Sequence, residues 1–155
     1  MNPPLPWLLI YPGMSGLGGI LGKNYIDIED DQGTTLRYRK HVNGRGLVAH
    51  GAKVHPKAVV EVGAYIEPGA RVGAGARVIR GAWIEPDAVI GENAYIDAHA
   101  HIGQGAAVGD GAHIGVRTEI GAGARIARGA KIGDDEIVAA GLRIATDRKG
   151  LWLAA

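Results

Sequence analysis

Residues 82–102 read AWIEPDAVIGENAYIDAHAHI, and one spacing organises them: Ile84, Ile90, Ile96 and Ile102 stand six apart. Followed outward, the spacing holds from Val48 to Ile144. It takes in Val54, Val60, Ile66, Val72 and Val78 on one side, and Val108, Ile114, Ile120, Ile126, Ile132 and Val138 on the other. Helices repeat near 3.6 residues and strands near two, so neither requires a period of six. A chain wound into a triangular prism does, with about one hexad on each side.

The other hexad positions fit the same winding. Two residues before thirteen of the seventeen aliphatics lies an alanine, as at Ala82, Ala88, Ala94 and Ala100. Strand geometry sends residues two apart to the same side, so both face inward. Three residues after most of the aliphatics comes a glycine (such as Gly51, Gly63, Gly69, Gly75, Gly81 or Gly105) or else Asp87, Asn93 or Asp135. These residue types tolerate the left-handed conformation a sharp corner needs. Pro56, Pro68 and Pro86 precede corner positions, where a type II turn accepts a fixed φ.

This pattern resembles the left-handed parallel β-helix of the hexapeptide-repeat, LpxA-like superfamily. The resemblance implies three hexads per coil, hence five to six coils and a shaft of roughly 27 Å at ~4.8 Å per coil. It also implies a parallel homotrimer. The expected class is all-β, with three parts. Residues 1–45 are an N-terminal apolar segment plus a β-hairpin, 46–147 the repeat array, and 148–155 a C-terminal tail. The hairpin is read from the alternation Tyr25-Ile26-Asp27-Ile28, the turn Asp30-Asp31-Gln32-Gly33 and the strand Thr35-Leu36-Arg37-Tyr38-Arg39. It is expected to cap one end of the prism. Asp134-Asp135-Glu136 and the tail are expected to close the other, since charge blunts an open β edge.

Composition sets bounds on partners. With 17 basic and 16 acidic residues the formal net charge is +1, giving no electrostatic case for nucleic acid or anionic membrane. The chain has no cysteine, so neither disulfides nor thiolate metal sites arise. Residues 1–22 carry no charged side chain, yet Pro3, Pro4, Pro6 and Pro12 interrupt them, which predicts neither a membrane span nor a signal peptide. The compartment is left open between the cytoplasm and an assembled particle.

Stacking the array at eighteen residues gives three outward columns. The first reads Leu47, Tyr65, Trp83, His101, Glu119, Ile137; the second Lys53, Arg71, Val89, Ala107, Arg125, Arg143; the third Val59, Arg77, Tyr95, His113, Lys131. Aromatic side chains on an otherwise solvated face mark Tyr65, Trp83, His101 and Tyr95 as the expected oligomer interface. The alternative is aromatic stacking along the ladder itself.

Three sets of residues are candidates for chemistry. The segment Ala100-His101-Ile102-Gly103-Gln104 resembles the histidine-bearing turn of the UDP-N-acetylglucosamine acyltransferases. Gln104 stands where that family places its base, which leaves His101 as the catalytic candidate, since a glutamine takes up no proton at neutral pH. Arg143, Arg148 and Lys149 are candidates for binding the phosphates of a coenzyme A cosubstrate. His50 and His55 resemble part of a γ-class carbonic anhydrase metal site. The third ligand of that site would fall at Met14, and His41 is out of register, so the set is one short of the three ligands catalytic zinc requires. The pair His99 and His101 diverges, one at a corner and one on a face.

No loop excursion interrupts the array. The reading therefore leans away from an enzyme, with no cofactor. It favours a non-catalytic trimeric shaft that attaches through residues 1–45 to other proteins of a larger assembly, such as a virion tail or spike. The alternatives are an acyltransferase using acyl-CoA or acyl carrier protein, and the metal site.

Overall fold

The computed structural model describes residues 25–145. The expectations for the apolar lead segment, Met14, Arg148, Lys149 and the tail lie outside the described residues. Within them the chain is all-β. Strands β1 (Tyr25–Glu29), β2 (Thr35–Lys40) and β3 (Leu47–Ala49) are followed by two-residue strands every six residues, from Lys53–Val54 to Arg143–Ile144. No described helix is long and apolar enough to cross a membrane.

The short strands stack into three parallel sheets, one per side of the prism. Each residue pairs with the one eighteen further on: Trp83 with His101, Val89 with Ala107, Tyr95 with His113. Backbone bonds join coil to coil, as from Lys53 N to Ala70 O at 2.9 Å and from His55 N to Val72 O at 3.0 Å. The inward positions make one continuous core in which the alanines and the hexad aliphatics are almost all fully buried. Thr118 takes an alanine's place without leaving a polar atom stranded. Its Oγ1 donates to Gly133 O at 2.5 Å and accepts from Glu136 N at 3.3 Å.

Corners form as the sequence predicts, with φ of 64° at Asp87, 59° at Asn93 and 58° at Asp135. Arg45, His99 and Arg117 adopt the same conformation. At Arg117 the guanidinium grips Asp135 of the next coil through two bonds of 2.7 and 2.9 Å. The His99 imidazole lies over Gly81 of the coil before, in space that a Cβ at Gly81 would occupy. Asp87 and Asn93 stand over Gly69 and Gly75 in the same way.

The N-terminal end is closed by more than the hairpin. β1 and β2 pair antiparallel, and β2 continues antiparallel onto β3, extending the first sheet. Residues 41–46 then cover the free edge of the third sheet: Gly46 N reaches Val60 O at 2.7 Å and Val60 N reaches Asn43 O at 3.0 Å. Near the other end, Asp134 accepts from Val116 N at 2.8 Å and Asp135 holds Arg117. Those carboxylates tie down the coil before them, whereas the sequence suggested they would shield an edge.

His41 sits in the N-terminal closure, 2% exposed, with Nε2 donating to the Ala58 carbonyl at 2.8 Å and Nδ1 unpaired. Burial holds its pKa below the ordinary imidazole value. The Ala58 bond acts in the opposite direction, and the Arg39 charge adds to the depression. The folded state thus binds this proton more weakly than the unfolded chain. Its stabilising share is present above about pH 6.5 and is lost as pH falls below that, toward the folded value. The unfolding free energy from urea titrations should therefore drop faster between pH 7 and 5 for the native chain than for His41→Gln, by at most ~1.4 kcal/mol per pH unit. Parallel curves for the two proteins would refute this role.

Candidate active site

Alternation puts Ile26, Ile28, Leu36 and Tyr38 on one side of the hairpin. That side folds against the outer surface of the first sheet, forming a second small core with Leu47, Ala49, Tyr65 and Trp83. Tyr65 is 8% exposed as a result, its ring edge-on to Tyr38 with centroids 5.9 Å apart. Its burial is supplied by this chain's own hairpin. Trp83, Tyr95 and His101 remain half-buried on the outer faces.

Beside this second core a spacing of sixteen links side chains from coil to coil. An outward residue stands over the one eighteen earlier, and the residue two further along that earlier coil points outward as well. Trp83 Nε1 accordingly donates to Glu67 Oε2 at 2.7 Å, and His101 Nε2 bonds Glu85 Oε2. On the third face His113 Nε2 lies 3.6 Å from Asp97 Oδ2, with Tyr95 edge-on beside it. Further along the Glu67–Glu85 column the residues are Gly103 and Gly121. A Cβ at Gly103 would approach Ala122 N to 2.6 Å, so the acidic run stops at Glu85.

Glu67 is the most constrained of these groups. Burial raises its pKa; the Tyr38 hydroxyl and the Trp83 indole, each donating at 2.7 Å, work against that, and nearby Glu85 adds to the rise. Tyr38 is pushed well above the usual phenol range by burial beside that carboxylate, which keeps it a donor. His101 lies flat on the Trp83 indole, with centroids 4.6 Å apart and planes 5° from parallel. A carboxylate only accepts, so the proton on His101 sits at Nε2 and the Nδ1 lone pair is left to act as a base.

The other candidates are more scattered. Gln104 is exposed at a corner. His50 and His55 are both exposed, and His55 Nδ1 already accepts the Lys57 N–H at 3.0 Å. No group of three metal-ligating side chains occurs among the described residues. Arg143 is exposed on the last rung of the second face. A groove of about 510 Å³ runs between the hairpin and the first corner, lined by residues such as Arg37, His50 and Pro68. His101, three rungs away, does not line it.

Known proteins share this architecture. The family model for the bacterial transferase hexapeptide (six repeats) matches residues 87–121. The chain carries a hexapeptide-repeat β-helix of the left-handed, LpxA-like kind. Among solved structures it is similar to a histidine-to-asparagine mutant of perosamine N-acetyltransferase from Caulobacter crescentus, in complex with CoA and GDP-perosamine. There the TM-score is 0.65 and the identity 29%, over 66% of this chain and 49% of that one. It is also similar to the acetyltransferase domain of PglB from Neisseria gonorrhoeae in complex with acetyl coenzyme A, at TM-score 0.66 and 28% identity over 67% and 51% of the two chains. A hexapeptide transferase family protein from Anaplasma phagocytophilum matches at 18% identity with TM-score 0.53, which concerns the fold alone. The chain spans about half the length of the first two structures. No curated protein matches it.

These likenesses overturn the reading as a non-catalytic shaft or virion component, because the first two of these structures are acetyltransferases. The physical reason lies in the faces of the hexapeptide-repeat helix. An uninterrupted array leaves no room for an active-site loop, but outward side chains on adjacent coils meet without one. Glu85 and Glu67 carry no local sequence signal, and only the spacing of sixteen from His101 and Trp83 marks them.

Proposed function

We propose that the chain is an acyltransferase that moves an acetyl group from acetyl-CoA to an amine, with His101 as the general base and Glu85 orienting it. The observation that carries this reading is the His101–Glu85 pair on the first face, Nε2 committed to the carboxylate and Nδ1 left for a proton. The acetyltransferases among the structural neighbours, one holding CoA with an amino-sugar nucleotide, support both the donor and an amine-bearing sugar as acceptor.

In this scheme His101 Nδ1 takes the proton from the acceptor amine as its nitrogen attacks the thioester carbonyl. The resulting tetrahedral oxyanion collapses, the C–S bond breaks, and the imidazolium returns the proton to the departing thiolate. Glu85 and the π-face of Trp83 both favour the transient imidazolium. Three copies would assemble around a threefold axis, as is typical of hexapeptide transferases. The first and third faces, with Trp83, His101 and Tyr95, are the surfaces suited to contact, while the second face is cationic at Lys53, Arg71, Arg125 and Arg143. Arg143 is the described candidate for the CoA phosphates. The test is release of CoA thiol from acetyl-CoA in the presence of an amino-sugar acceptor.

A further inference from the structure

We infer that Glu67 is a positioning residue for His101. Held by Tyr38 of the hairpin and bonded to Trp83, it sets the indole plane on which the imidazole lies. The inference rests on the reading of His101 as the base, and it makes the N-terminal hairpin part of the catalytic arrangement.

An imidazole projecting from a flat β-face has two free torsions. The Glu85 contact ties one ring nitrogen to a side chain with three torsions of its own, so imidazole and carboxylate can still swing together. The missing constraint is the Trp83 surface, 5° from parallel. The indole in turn is held at its own edge by the 2.7 Å bond from Nε1 to Glu67 Oε2. The other oxygen of that carboxylate accepts the Tyr38 hydroxyl, also at 2.7 Å. Glu67 is 8% exposed, and a carboxylate is costly to bury unless its oxygens are bonded. Both are bonded here, one to the hairpin and one to the residue behind His101. Misplacing a reacting group by even an ångström lowers rate steeply, so the clamp acts on turnover rather than on substrate affinity.

Two readouts test this. The His101 ring protons lie over the indole face and are shielded by it, and Trp83→Leu supplies the unshielded reference. Glu67→Leu should move the His101 proton resonances toward that reference and lower kcat about tenfold with KM unchanged. Glu67→Gln, whose amide oxygen can accept the indole proton, should restore both. Wild-type resonances and kcat in Glu67→Leu would overturn the proposal, and so would a Glu67→Gln as impaired as Glu67→Leu. If Glu67→Leu does not fold, Tyr38→Phe carries the test: a partial displacement in the same direction supports the clamp and none refutes it. The resonances are read without substrate. A fully active His101→Ala would therefore remove the catalytic reading while leaving the Glu67 measurement to stand by itself.

Discussion

His101→Ala should lower kcat for acetyl transfer by about 10²–10⁴-fold, the range a positioned general base contributes. The imidazole projects from an outer face and leaves the interior untouched, so thermal stability should stay close to that of the native chain. Nothing in the site assigns CoA binding to this ring, and the KM for acetyl-CoA should change little. Glu85→Gln keeps the shape but removes the charge that favours the imidazolium, and its activity should fall between the two. A kcat within about threefold of native for His101→Ala would be too small a loss for a general base and would eliminate His101 from that role.

The second large effect concerns stability. Ile96 is completely buried, in register between Val78 of the coil before and Ile114 of the coil after. Ile96→Ala leaves a cavity that the neighbours cannot fill, because the hydrogen-bonded ladders hold the rungs at fixed spacing. The expected loss is about 2–5 kcal/mol, a large share of the ~5–15 kcal/mol typical of a domain. Urea denaturation should show a lower midpoint with an unchanged slope. Each coil draws its stability from its neighbours, so a loss below about 1 kcal/mol would mean that the interior is less tightly packed than the burial indicates.

The sequence made the lattice legible because each hexad position answers to one physical demand. Volume selects Val or Ile inside, and a left-handed φ selects Gly, Asp or Asn at corners. Arg117 escaped that logic, since its partner Asp135 lies eighteen residues away, one coil on. The hairpin was legible as a hairpin. Its apolar side, Ile26, Ile28, Leu36 and Tyr38, announced that it would cover something without saying what. That is why Tyr65 looked like a surface aromatic awaiting a partner. His101 was named from its neighbours in the chain, whereas its chemistry depends on Glu85, sixteen residues earlier and adjacent only after winding.

The most direct test of the whole account is a continuous thiol assay on the full chain with acetyl-CoA and a panel of sugar nucleotides bearing a primary amine. The account predicts CoA release that depends on the acceptor, saturates with both substrates and falls by about 10²–10⁴-fold in His101→Ala. Thiol release no faster than in buffer with every amine acceptor, from folded protein that also fails to bind acetyl-CoA, would contradict it.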